Sequence, residues 1–133
     1  MATRISKTFT FEAAHRLQYH GGHCRRLHGH SYQVTVSISG SLTPSGSEGG
    51  MVMDFGRLSE AWAPIKERLD HRTILQYSDP LTKALPPDDV ILTPFTPTAE
   101  NLAEYIWGRL QRIHDHLQVT VNETATSSAT YPA

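Results

Sequence analysis

The sequence predicts a single α+β domain over residues 1–133, in which a four-stranded antiparallel sheet carries two helices on one face. Three observations point there. Apolar residues alternate with period two in separate stretches, they recur at spacings of three and four in two others, and 38% apolar content in 133 residues is enough for one core.

Each element follows from its own pattern. From Ile5 the apolar residues Phe9, Phe11 and Ala13 share one parity, interrupted by Lys7, and His15 continues it, which is the signature of a strand. Tyr32, Val34, Val36 and Ile38 alternate with Gln33, Thr35, Ser37 and Ser39, giving a second strand whose apolar parity includes His28 and His30. The Gly-, Ser- and Pro-rich run from Gly40 to Gly50 predicts a hairpin loop leading antiparallel into a short strand near Met51–Met53. Phe55, Leu58, Trp62, Ile65 and Leu69 define the buried stripe of a first helix, which Asp54 can cap and which Pro64 should kink or divide. Between Gln76 and Pro97, Pro80, Pro86, Pro87 and Pro94 predict a long ordered loop or lid. Ala99, Leu102, Ala103, Ile106, Leu110 and Ile113 form a second helical stripe, capped by Thr96 or Thr98 and ending near Leu117. Val119 and Val121 mark a last strand that carries Glu123 toward the covered side. Four strands leave edges and one sheet face open, which association with further copies would cover.

Composition narrows the function classes. Twelve Lys and Arg against thirteen Asp and Glu give a formal charge of −1, so no general basic footprint for nucleic acid or an anionic membrane exists. No stretch approaches the roughly 20 apolar residues of a membrane span, and the N-terminus lacks a signal-peptide core. A single cysteine, Cys24, rules out an intrachain disulfide and predicts a reducing, cytoplasmic setting.

The densest chemical signal is Cys24-Arg25-Arg26-Leu27-His28-Gly29-His30, with His15 at the end of the preceding strand. In an extended segment His28 and His30 point the same way, and His15 can join them from the neighbouring strand as a third zinc ligand, leaving a fourth position open. Cys24 in that fourth position would instead close a structural site. His20 and His23 lie in a Gly-rich stretch and are weaker ligand candidates. Arg25 and Arg26 can take a polyanion or form an ordinary solvated turn. Asp70 and His71 can form a proton relay, or His71 can oppose the dipole of a helix C-terminus. An inward Glu123 needs partners, supplied either by paired N–H donors of a ligand or by an arginine or backbone amides. Thr98 and Glu100 suit a helix start, where capping and the dipole already account for them.

With these residues in place, the sequence resembles the 6-pyruvoyltetrahydropterin synthase and 6-carboxytetrahydropterin synthase family from Phe9 to about Tyr131. The resemblance rests on Phe11-Glu12-Ala13-Ala14-His15, Cys24-x-x-x-His28-Gly29-His30, Asp54-Phe55, Leu69-Asp70-His71, Pro97-Thr98-Ala99-Glu100 and Glu123-Thr124. It implies His15, His28 and His30 as zinc ligands, Cys24 as catalytic base, Asp70 and His71 as a relay and Glu123 as the pterin anchor, while Thr98 and Glu100 match the family's helix-start segment. It also implies the tunnelling fold, usually a homohexameric dimer of trimers in which each trimer closes a twelve-stranded barrel with pockets between subunits. The bacterial 6-carboxytetrahydropterin synthase branch is the nearer likeness. That branch converts 7,8-dihydroneopterin triphosphate to 6-carboxy-5,6,7,8-tetrahydropterin with release of acetaldehyde and triphosphate, toward queuosine and related deazapurines. In that setting Arg25 or Arg26 is expected to meet the triphosphate. The alternatives are the pyruvoyl-forming triphosphate lyase and a non-catalytic zinc-binding protein.

Overall fold

The computed structural model describes residues 2–133. Two long strands, β1 (Thr3–His15) and β2 (His28–Gly40), pair antiparallel along their whole length, from Thr3 opposite Gly40 to His15 opposite His28. Their alternation turns Phe11, Ala13, Tyr32, Val34, Val36 and Ile38 inward, and leaves Thr8 and Thr35 bonded to each other on the opposite face. Helix α1 (Phe55–Leu69) contributes Leu58, Trp62, Ile65 and Leu69 to this core, and α2 (Ala99–Leu110) contributes Leu102, Ala103, Ile106 and Leu110. Full burial of each leucine or isoleucine among them is worth about 1.5–3 kcal/mol, so both helices are held mainly by their packed stripes.

The caps behave as the sequence predicts. Asp54 accepts from the amide of Gly56 at 2.7 Å, and Thr98 accepts from Asn101 at 3.2 Å. Pro64 neither divides nor ends α1, which runs unbroken through it. The ring sits on the exposed side, where water can satisfy the carbonyl that loses its donor, while Trp62 and Ile65 stay packed on the other. The second helix stops at Leu110 and is followed by a single tight turn over Gln111–Ile113, so Leu117 opens a strand instead of closing the helix.

The sheet has six strands, not four, and it is mixed. Beyond β1 and β2 it contains β3 (Arg72–Gln76), β4 (Val90–Thr93), β5 (Leu117–Asn122) and β6 (Ser128–Tyr131), in the order β4-β3-β1-β2-β5-β6. Strand β3 runs parallel to both β1 and β4, whereas β5 pairs antiparallel with β2 and β6. The expected strand at Met51–Met53 is absent, because the Gly40–Gly50 excursion closes on itself. Thr43 donates to Met51 O and accepts from Gly50 N, both at 2.8 Å, and Gly46 and Gly50 take the left-handed conformation this requires. The tract from Gln76 to Pro97 is no free lid, since it holds β4 and two short helical turns, Pro80–Lys83 and Pro87–Asp89. Along β1, only Ala13 to His15 pair with β3.

Candidate active site

Three imidazoles converge where the inner face of the long hairpin meets the start of α2. His15, His28 and His30 each offer a ring nitrogen, and these atoms lie within 4.8 Å of one another. The alternation predicts this meeting, and the pairing of His15 with His28 and of Ala13 with His30 brings the three to one level.

Second partners fix which nitrogen carries the proton. His15 Nδ1 lies 2.7 Å from Pro97 O, and His28 Nδ1 lies 2.6 Å from Arg26 O. A carbonyl oxygen only accepts, so both Nδ1 atoms are protonated and both Nε2 atoms present lone pairs. Those two Nε2 atoms face each other at 3.1 Å, and His30 Nε2 is buried without a partner. Opposed lone pairs and an orphaned buried nitrogen are unfavourable alone, and one cation between them resolves both. The residues present therefore fit a metal ion, and a set of imidazoles suits zinc among the first-row divalent metals that nitrogen ligands hold.

Burial disfavours the charged forms of His15 and His30. Desolvation lowers the His15 pKa from 6.5 to about 4, against the opposing effect of the Pro97 carbonyl, and the neighbouring imidazoles lower it further. Desolvation also lowers that of His30, with Glu123 opposing. A depressed histidine pKa adds stability that is complete above the unfolded value and is lost as pH falls through the folded one. Metal-free protein is therefore expected to lose about 3 kcal/mol on account of His15 between pH 6.5 and about 4, readable by urea denaturation across that window. An unfolding free energy flat over that range would refute the buried neutral assignment.

Glu123 follows directly on β5, and its Oε1 lies 3.5 Å from His15 Nε2 and 4.0 Å from His30 Nε2. The parity of Val119 and Val121 thus carries the carboxylate to the histidine centre. Tyr32, which shares the parity of His28 and His30, was available to the same reasoning but is not among the expected site residues. Its hydroxyl lies 3.2 Å from His15 Nδ1, and its pKa is raised, first by burial and then by Glu123.

The other expected residues fall around this centre unevenly. Cys24 is half-buried in a one-turn helix, His23–Arg25, and Arg25 and Arg26 are exposed beside it. Thr98 caps α2 and is half-buried, while Glu100 is exposed. Asp70 and His71 do form a pair, His71 Nδ1 lying 2.9 Å from Asp70 Oδ2. Both are clamped to the backbone of Glu12, whose N–H donates to Asp70 Oδ1 at 2.7 Å and whose carbonyl accepts from His71 N at 2.6 Å. The Glu12 amide is the main cause of the lowered Asp70 pKa, with His71 contributing. His71 adopts a left-handed backbone with φ 60°, an uncommon conformation for a side chain of its size. It is largely exposed and lines a cleft of about 400 Å³ with Glu12, Ala14, Gly29, His30 and Ser31. Among the described residues, no hydrogen bond or ion pair joins the Asp70–His71 pair to Cys24 or to the three imidazoles.

Fold and site together define a small α+β protein with a three-histidine centre able to hold a metal. A family model described as 6-pyruvoyl tetrahydropterin synthase matches residues 4–133, and the chain belongs to that family. It is accordingly a lyase-type enzyme of the tetrahydropterin-synthase kind, with the tunnelling fold. It is 40% identical over 131 residues to the 6-carboxy-5,6,7,8-tetrahydropterin synthase of Synechocystis, covering 96% of this chain and 91% of that one. It is 36% identical over 140 residues to the protein of that name in Haemophilus influenzae, covering 96% and 97%. The solved structure of Plasmodium falciparum 6-pyruvoyl tetrahydropterin synthase superposes with a TM-score of 0.79 at 25% identity, covering 97% of this chain and 96% of that one. No helix among the described residues is long and apolar enough to cross a membrane.

Proposed function

We propose that this enzyme converts 7,8-dihydroneopterin triphosphate and one water to 6-carboxy-5,6,7,8-tetrahydropterin, releasing acetaldehyde and triphosphate, as a step toward queuosine and related deazapurines in the cytoplasm. The observation that carries the reading is the convergence of three imidazole nitrogens beside Glu123, in a chain whose relatives include proteins named for that product.

His15, His28 and His30 would hold the zinc. When bound, the metal supplies Lewis-acid stabilisation of charge developing on the substrate's side-chain oxygens. The Cys24 thiolate removes a proton from the adjacent carbon. Asp70 holds His71 through Nδ1, which leaves Nε2 to carry the second proton. The Glu123 carboxylate accepts the paired N–H donors of the pterin ring, and this ion-assisted pairing offsets its desolvation. Arg25 or Arg26 faces the triphosphate, and Thr98 and Glu100 shape the entrance at the start of α2. The open edge of β1 and the polar sheet face are closed by neighbouring copies in a homohexamer built as a dimer of trimers.

One product assay tests the reaction. Zinc-loaded enzyme should consume dihydroneopterin triphosphate and release acetaldehyde with a 6-carboxy product, whereas 6-pyruvoyltetrahydropterin without acetaldehyde would transfer the enzyme to the other branch. Metal uptake with no turnover would leave a zinc-binding protein. For Glu123→Gln, which keeps shape and loses charge, the expected result is substrate affinity weakened by about 10-fold to 100-fold with zinc content unchanged. Unchanged affinity with lowered thermal stability would assign Glu123 to the fold alone.

A further inference from the structure

The loop that carries Cys24 is braced from a distant part of the chain by an ion pair whose carboxylate is buried. Asp79, which is 1% exposed, sits between β3 and β4, and Arg16 immediately follows the ligand His15. Arg16 Nε donates to Asp79 Oδ2 at 2.7 Å and its Nη2 donates to Oδ1, a two-pronged contact of the kind a guanidinium makes with a carboxylate. Asp79 Oδ1 also accepts from Leu81 N at 2.8 Å, which fixes the carboxylate in its own turn.

The brace continues on both sides. Leu17, next to Arg16, donates its amide to Cys24 O at 2.8 Å, closing residues 17–24 into one loop. Gln18 Nε2 donates to Gln76 Oε1 at 3.1 Å and to Ser78 Oγ at 3.0 Å. Gln76 Oε1 also accepts from Thr96 Oγ1 at 3.3 Å, one residue before the Pro97 carbonyl that orients His15. The segment between β3 and α2 thus holds both the root of the cysteine loop and the carbonyl behind a metal ligand.

We propose that Asp79, acting through Arg16, is a positioning residue that sets where the Cys24 thiol stands relative to the three-histidine centre. The inference rests on Cys24 being the base. A catalytic group held by a short chain of hydrogen bonds loses rate steeply when its anchor shifts, and a displacement near 1 Å costs about 100-fold. Because Cys24 is the only cysteine, its reaction with iodoacetamide reports the loop without any reference to turnover.

The test compares zinc-loaded wild type with Asp79→Asn and Arg16→Lys, measuring zinc content, kcat, KM and the alkylation rate of Cys24. The expected result is kcat lowered by about 10-fold to 100-fold in Asp79→Asn, with zinc and KM within about twofold and the alkylation rate changed by about threefold or more. Arg16→Lys keeps the charge without the fork and should fall between. Should Asp79→Asn fail to fold, Gln18→Ala removes two braces from a partly exposed side chain and should change alkylation in the same direction. Variants that fold less stably yet alkylate and turn over like wild type would overturn the proposal, leaving a purely structural pair. If Cys24→Ala turns over normally while Asp79→Asn alters alkylation, the base assignment fails and the positioning of the loop stands.

Discussion

Replacing Cys24 with alanine is expected to lower the single-turnover rate by about 100-fold to 10,000-fold while zinc content, substrate binding and assembly size stay at wild-type values. General-base assistance belongs to the chemical step, so its loss should appear in kcat and spare the binding terms. The three imidazoles complete a ligand set without sulfur, and the cysteine sits in a separate short turn. Measurement of all four quantities on one preparation separates this role from metal binding. If the substitution empties the site of zinc, the thiol is a fourth ligand and the centre is a closed structural one.

Replacing His28 with alanine should abolish stoichiometric zinc and bring turnover to background. The effect on stability is expected to depend on metal. In metal-free protein, removing His28 ends the opposition of two lone pairs at 3.1 Å, so the variant should be no less stable than wild type. Zinc at about 1,000 times its wild-type Kd should then raise the unfolding free energy of wild type by about 4 kcal/mol and that of the variant by far less. Equal stabilisation of both by zinc, followed by denaturation with and without chelator, would remove His28 from the centre.

How much of this was legible in the sequence depends on whether a residue's role is written in its own periodicity. The parity of β1 and β2 pointed to the meeting of His15, His28 and His30, and the parity of Val119 and Val121 brought Glu123 to them. Both helical stripes are also plain, because each buries one face against the sheet. Strands β3 and β4 were hidden for the opposite reason. They are four or five residues long, and Ile74 and Leu75 are both buried, so no alternation marks the first of them. Strand β6 alternates only Ala129 and Tyr131 with Ser128 and Thr130, too short a run to stand out. The Pro97 carbonyl, which fixes the His15 tautomer, is a backbone atom without a residue-type signature. Arg16 and Asp79 are 63 positions apart, and only the fold reveals that two ordinary charges are partners.

That no hydrogen bond or ion pair joins the Asp70–His71 pair to Cys24 among the described residues has a genetic reading. If neighbouring copies supply the two halves of a pocket, a Cys24→Ala chain and a His71→Ala chain are each defective in a different half. Mixed at equal amounts before assembly, they would build intact pockets at about a quarter of the positions, so two inactive alleles would restore measurable activity to a cell that carries both. Mixed assemblies as inactive as either parent would mean that each pocket draws both halves from the same chain.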